Sequence, residues 1–175
     1  MGNLLEMVLG QQNSGAIGQI AKNFDLDMGD ATKALGSLLP ALQGGMQRNV
    51  KQQGGLESLL GTLNKNQNQQ YVDQPELLGQ PQAIDNGNSI LGHIFGSKEV
   101  SRQVAQQASQ QTGLDSSMLK KMLPMAASVL MGSLGKEQAR QPMGGNQSMI
   151  EGLLDADGDG SMMDDLLGMA GKLFR

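Results

Sequence analysis

An acidic loop near the C-terminal end of the sequence is the place where residue types and spacing best suit chemistry. Residues 155–165 read DADGDGSMMDD, so Asp155, Asp157 and Asp159 alternate along the chain. The intervening glycines permit tight turns, and the three carboxylates can then converge on one centre. Because Ca²⁺ prefers several hard oxygen ligands, the spacing makes this loop a candidate Ca²⁺ site.

The start of the loop resembles the D-x-D-x-D-G calcium loops of EF-hands and dockerins. The resemblance puts Ser161 at the seventh position, where a backbone carbonyl normally serves. The twelfth position, normally a bidentate acid, is Leu166, and Asp165 falls one residue early. Any site here would therefore be irregular. The candidate metal ligands are Asp155, Asp157, Asp159, Ser161 and Asp165.

A purely structural interpretation explains the same residues. Ser161 and Asp164 form the pattern S-x-x-D, which is typical of a capping box at the start of a helix. Acids in a first helical turn also interact favourably with the helix dipole. An ion site and a helix cap are compatible, and the sequence leaves both open.

The rest of the sequence offers little for catalysis. His93 is the only histidine, and there is no cysteine, so neither a second His nor a Cys is available to complete a metal set. A lone histidine in a short helix is typical of a surface or rim position. No G-x-S-x-G nucleophile motif and no phosphate-binding G-x-x-x-x-G-K-[ST] loop occurs. The sequence predicts a non-enzyme with no catalytic residue and no cofactor beyond the candidate Ca²⁺.

Helices are the predicted elements throughout. Ile17, Ile20, Ala21 and Phe24 follow i, i+3, i+4, i+7 spacing and so form one apolar helical face. Sustained period-two alternation is absent and β-branched residues are sparse, so strands are not expected. Gly96 and Gly113 are expected to end helices as C-terminal caps. The predicted helices span residues 3–10, 15–24, 30–43, 55–63, 90–95, 100–112, 118–134, 149–154 and 161–174.

A weak internal repeat suggests how these helices are arranged. Residues 16–46 align without a gap with residues 100–130, and Pro40 then faces Pro124. Each proline is expected to kink its helix or to begin a new one. We therefore expect an all-α fold in which short helices form an orthogonal array of two similar units sharing one core. The expected divisions are residues 1–63, an Asn-, Gln- and Pro-rich connector at 64–89, and residues 90–175, with a second polar connector at 135–147.

The helix at 118–134 has two possible uses. Its methionines can form an adaptable groove for a partner helix, or they can fill the core. Lys120 and Lys121 are expected on its solvated face, and the glutamines at 103–111 are expected to face solvent on the preceding helix.

Charge and hydropathy limit the partners. The net charge is −4, and residues 148–175 carry six acids against two bases, so the remaining charges cancel. No basic stripe supports nucleic-acid binding. No apolar run approaches the roughly 20 residues that span a bilayer, and no export signal is evident. We expect a cytoplasmic protein that binds neither nucleic acid nor membrane.

Several motifs together resemble a bacterial family of unknown function related to the YidB-like proteins. They are ILGHIFG, TGLD, MLPM and LLDADGDGSMMDDLLGMAGKLF, within residues 76–175. The resemblance implies an all-α fold of short helices and no transferable activity. The expected function is interaction with an unknown protein partner or self-association as a homo-oligomer; the alternative is a Ca²⁺-binding regulatory module that uses residues 155–165.

Overall fold

The computed structural model describes residues 4–64 and 68–140, which form helices joined by short turns. No strand occurs within these ranges, and the expected all-α class is confirmed. 3₁₀ turns at Gln11–Asn13 and Pro75–Gly79 supplement the α-helices. The helices are α1 (Leu4–Leu9), α2 (Ser14–Asn23), α3 (Met28–Val50), α4 (Gly55–Asn64), α5 (Gln70–Asp73), α6 (Pro81–Phe95), α7 (Lys98–Thr112) and α8 (Ser116–Arg140).

Helix α8 forms the centre of the fold. Every residue from Met122 to Gly135 is buried, whichever side of the helix it occupies. A helix that is apolar or small on all sides must be surrounded by other elements, and α6 and α7 pack along it, with α4 and α5 also in contact. Met122, Met125 and Met131 belong to this core, so core packing, rather than an open methionine groove, is their observed use.

Helix α3 runs without a break past Pro40, so the proline does not begin a new helix. Asp27 caps its start by accepting a hydrogen bond from the Asp30 backbone N–H at 2.7 Å. Pro40 is exposed, whereas Leu38, Leu39 and Leu42 are buried on the opposite side. Proline cannot donate a backbone hydrogen bond, so the helix lacks one at Pro40. We attribute its continuity to the burial of this apolar face, which compensates for the missing hydrogen bond.

The two glycine caps lie where the sequence predicts them. Gly96 ends α6 with φ 73°, and Gly113 ends α7 with φ 75°. Both values fall in the left-handed region that glycine adopts without a Cβ penalty. These caps fix the turns on both sides of α7 and so set the direction in which α8 begins.

The connector expected at 64–89 is largely helical, and this part of the secondary-structure prediction is wrong. Helix α5 and the second 3₁₀ turn lie within it, and α6 begins at Pro81 rather than near Ile90. Pro81 suits the first turn of a helix because that turn needs no backbone donor there. Leu78 and Ala83 are buried, so the segment joins the core despite its polar composition.

Residues 135–140, expected to begin the second polar connector at 135–147, are helical instead, because α8 continues to Arg140. The buried cluster is continuous between the two halves of the chain, since α3 packs against both α6 and α7. The internal repeat is not confirmed, because its supposed counterparts differ: α2 has 10 residues and α7 has 15. The repeat and its unit boundaries therefore stay predictions.

None of the helices in residues 4–64 and 68–140 combines the length and the apolar character that crossing a bilayer requires.

Candidate functional site

The predicted Ca²⁺ ligands lie outside the described residues. Asp155, Asp157, Asp159, Ser161 and Asp165 all follow Arg140, where the described part of the chain ends. Within residues 4–64 and 68–140, no group of three or more acidic or histidine side chains is placed to hold a metal ion. The Ca²⁺ site therefore stays a prediction from the sequence.

His93 has the surface position that the sequence predicts. Its side chain is exposed on α6, and its Nδ1 lies 3.4 Å from the Ser58 hydroxyl of α4. Its backbone carbonyl accepts a hydrogen bond from the Asn49 side-chain amide of α3. These contacts join three helices at the surface, which accounts for the residue structurally.

The structure reveals a different candidate, a surface groove formed by α6, the start of α7 and the first turns of α8. Two adjoining pockets of about 560 and 450 Å³ make up the groove, and Asn88 and Lys120 line both. We call it the lysine groove, because Lys98, Lys120 and Lys121 line it. Lys98 comes from α7 and the other two from α8, so the fold brings together residues that are distant in sequence.

The floor of the groove is partly apolar. Phe24 and Ile84 are half-buried there, and Met125 and Leu91 are almost fully buried. Leu91 lines the pocket of about 450 Å³, and the other three line the pocket of about 560 Å³. Asn23, at the end of α2, contacts this floor through its side-chain amide, which lies 3.8 Å from the Met125 sulfur. An apolar side chain entering the groove would therefore meet carbon and sulfur atoms beneath polar walls.

The charges of the groove have one sign. Among the described residues, no carboxylate lines either pocket. The same residues contain no ion pair that engages Lys98, Lys120 or Lys121. Ammonium groups that lie close together, with no ion-pair partner in the described part of the chain, produce a positive potential, which attracts carboxylates.

Two helix N-termini strengthen this positive character. Ser97 and Ser101 of the α7 start, and Ser117 of the α8 start, line the groove. The backbone dipoles of a helix give its N-terminal end a partial positive charge. Asp115 caps α8 by accepting a hydrogen bond from the Ser117 backbone N–H at 2.8 Å, but it does not line the pockets. The groove is thus suited to bind anions.

Charges at the other end of α8 are paired, which makes the groove distinctive. Lys136 forms an ion pair with Asp73 of α5, and Arg140 donates a hydrogen bond to Gln12 at 2.9 Å. Beneath them, the buried Asn13 amide donates to the Ser133 hydroxyl at 3.0 Å. A pocket of about 250 Å³ lies here, but three of its charged side chains, Lys136, Glu137 and Arg140, form ion pairs within the chain, so this end is best explained as structural.

Sequence reasoning missed the groove. Lys120 and Lys121 are exposed, as expected, but their proximity to Lys98 and Asn88 depends on how α6, α7 and α8 pack. One signal was present: two adjacent lysines near the start of a helix whose remaining residues are mostly apolar.

Comparison with known proteins identifies the family. The model of the family described as "Bacterial protein of unknown function (DUF937)" matches residues 6–137. The match includes the N-terminal half and stops before the acidic loop. No curated protein and no solved structure shows significant similarity to this chain. The match spans most of the sequence, and the chain therefore belongs to the DUF937 family of bacterial proteins of unknown function.

Proposed function

We propose that this protein is a non-enzymatic binding protein whose lysine groove takes up an acidic amphipathic helix of a partner protein. The observation that carries the proposal is the set of three lysines, without ion pairs in the described residues, around a partly apolar floor. An acidic helix would supply carboxylates to the walls and apolar side chains to the floor.

The two kinds of contact have separate roles. Opposite charges speed encounter and select the partner, but exposed ion pairs contribute little affinity. Burial of apolar surface contributes about 25 cal/mol per Å² before the entropy cost of association. Phe24 and Ile84, which are half-buried, are the side chains placed to take part in this burial. A ligand that has charge without an apolar face should therefore bind poorly.

The experiment is fluorescence anisotropy on the full chain with a labelled synthetic helix. The helix carries leucine and methionine on one face, and aspartate and glutamate on the other. Changing Lys120 and Lys121 to Glu should weaken binding about tenfold or more, equivalent to about 1.4 kcal/mol. The matched control is Lys51→Glu, which alters an exposed lysine beyond the groove lining and should leave the affinity nearly unchanged.

A peptide of the same composition with a scrambled order separates charge from amphipathicity. The proposal expects the scrambled peptide to bind much more weakly. Equal binding of both peptides, or equal loss with Lys51→Glu, would show that the protein attracts acidic peptides without using this groove.

Ca²⁺ binding is the second candidate function, and its support is the spacing of acids in the loop at 155–165. Calorimetric titration of the full chain should then show heat at millimolar or lower ion. Asp157→Asn together with Asp159→Asn should abolish that heat. Absence of both heat and a melting shift would leave the helix cap as the role of these residues.

The proposal also keeps the other expectations from the sequence. It places the protein in the cytoplasm and gives it a protein partner or a second copy of itself, with no nucleic acid and no membrane. It also retains the YidB-like relationship within the family, for which the motifs at 90–96 and 153–174 are the support.

A further inference from the structure

We propose that residues 161–174, the end of the chain's own acidic segment (residues 148–174), occupy the lysine groove of the same molecule and compete with the partner. This inference rests on the proposed function, since it concerns the same groove. It assigns a role to the segment that carries the net negative charge of the sequence.

Charge complementarity is the first support. Residues 148–175 contain six acids and two bases, whereas the acids and bases of residues 1–147 cancel. The groove lining, in turn, contains Lys98, Lys120 and Lys121 with no carboxylate among the described residues. The most acidic part of the sequence and the lysine groove are thus complementary in charge.

The apolar pattern of the segment is the second support. Met162, Leu166, Met169 and Leu173 recur at i, i+4, i+7 and i+11, the spacing of one face of a helix. Such a face needs cover, and the half-buried Phe24 and Ile84 of the groove floor offer apolar contacts.

The chain between the groove and the segment is long enough. Lys120 and Arg140 are separated by 20 residues of α8, a distance of about 30 Å at the helical rise of about 1.5 Å per residue. Residues 141–160 could cover about 66 Å when extended, at about 3.3 Å per residue. The segment can therefore return along α8 to the groove without strain.

Occupation within one molecule is favoured over exchange between copies. A tethered ligand experiences an effective concentration in the millimolar range for short flexible linkers, which exceeds usual protein concentrations. When the segment is docked, the groove of the partner-free protein is already occupied. A partner's apparent affinity then falls in proportion to the fraction of molecules that are open.

Paramagnetic relaxation in the full chain tests the location. The sequence has no cysteine, so Gly168→Cys provides a unique site for a nitroxide label within the segment. Amide signals of Asn88, Lys120 and Met125 should lose intensity relative to the same sample after the nitroxide has been chemically reduced. Signals of Gln106 and Lys51, which lie outside the groove lining, should keep theirs. Loss elsewhere, or no loss at the groove, would overturn the inference.

Two controls make the result specific. In the first control, an isotope-enriched chain without nitroxide is mixed with a nitroxide-bearing chain that is not isotope-enriched. The signals of the enriched chain should be unaffected, because the contact is within one molecule, and loss of signal in that mixture would contradict this. In the second control, Lys120→Glu together with Lys121→Glu should abolish the intensity loss at the groove. Adding Asp164→Lys and Asp165→Lys to that chain should restore the intensity loss. Failure of restoration would show that these charges do not face each other.

Peptide affinity separates this inference from the proposed function. If both hold, the synthetic acidic helix should bind the Asp164→Lys/Asp165→Lys chain about tenfold more tightly than the unaltered chain. The control Glu57→Lys adds positive charge on α4 and should change little. If the synthetic helix binds the unaltered and the altered chains equally, and the groove lysines are needed for that binding, the proposed function stands and the docking of the segment is ruled out. No binding to either chain would remove both.

Discussion

Gly87 of α6 packs directly against the backbone of Pro124 of α8. A Cβ at Gly87 would lie 2.7 Å from the Pro124 Cα and nearer still to its carbonyl oxygen. Only glycine lets the two helices approach this closely. Because Asn88 follows Gly87 and Lys120 lies one helical turn before Pro124, this contact also sets the separation of the residues that line both pockets.

Gly87→Ala should therefore destabilise the protein. The added methyl group must displace backbone, and such overpacking typically costs about 1–3 kcal/mol. Gly92→Ala, in the same helix, is the matched control because no atom lies within 4 Å of its Cβ position. The control should gain up to about 1 kcal/mol from helix propensity. Urea unfolding followed by circular dichroism compares them, and equal stability of the two variants would contradict the packing.

Met131→Ala should have a large effect on stability. Met131 is 1% exposed within the central helix, and truncation of a buried methionine to alanine costs about 2–5 kcal/mol. Met28→Ala is the comparison, since Met28 is 47% exposed and should lose well under about 1 kcal/mol. Melting temperatures provide the measurement. Similar losses for both variants would argue against α8 as the buried centre.

Asn13→Ala should destabilise the end of the fold where α1 meets α8. The Asn13 side-chain amide donates to the Met7 carbonyl at 2.7 Å and to the Ser133 hydroxyl at 3.0 Å. Loss of a buried partner costs about 1–3 kcal/mol for each group left unsatisfied. Ser133→Ala should cost less, because Asn13 keeps its other acceptor. A double-mutant cycle should show coupling, and strictly additive losses would contradict the hydrogen bond.

Binding of the acidic helix should weaken as salt increases. The Debye length falls from about 10 Å at 0.1 M salt to about 3 Å at 1 M, which screens the exposed lysines. The chain with Lys120→Glu and Lys121→Glu should show a much flatter salt dependence over the same range. Anisotropy titrations at several salt concentrations measure both slopes. Parallel slopes would mean that these lysines do not provide the electrostatic attraction.

Local signals accounted for much of the fold. The glycine caps at Gly96 and Gly113 and the apolar face of α2 are each visible within a single helical segment. They were predicted correctly because backbone freedom and side-chain periodicity act over a few residues.

Tertiary contacts explain what the sequence concealed. Residues 70–89 look like a linker because Asn, Gln, Pro and Gly dominate them. They nevertheless form helices, since Gly87 permits close packing on α8 and Tyr71 and Leu78 enter the core. The lysine groove could not be predicted for the same reason. Its lysines belong to two helices, and only the packing of α6, α7 and α8 brings them together.

The lysine groove can be tested as the binding site by titrating the isotope-labelled full chain with the synthetic acidic amphipathic helix and following its amide chemical shifts. We expect saturable shifts concentrated at residues 84–91 and 117–125, with few at α3 and α4. Saturable shifts centred on another surface, or no shifts at any peptide concentration, would contradict the assignment of the lysine groove as the binding site.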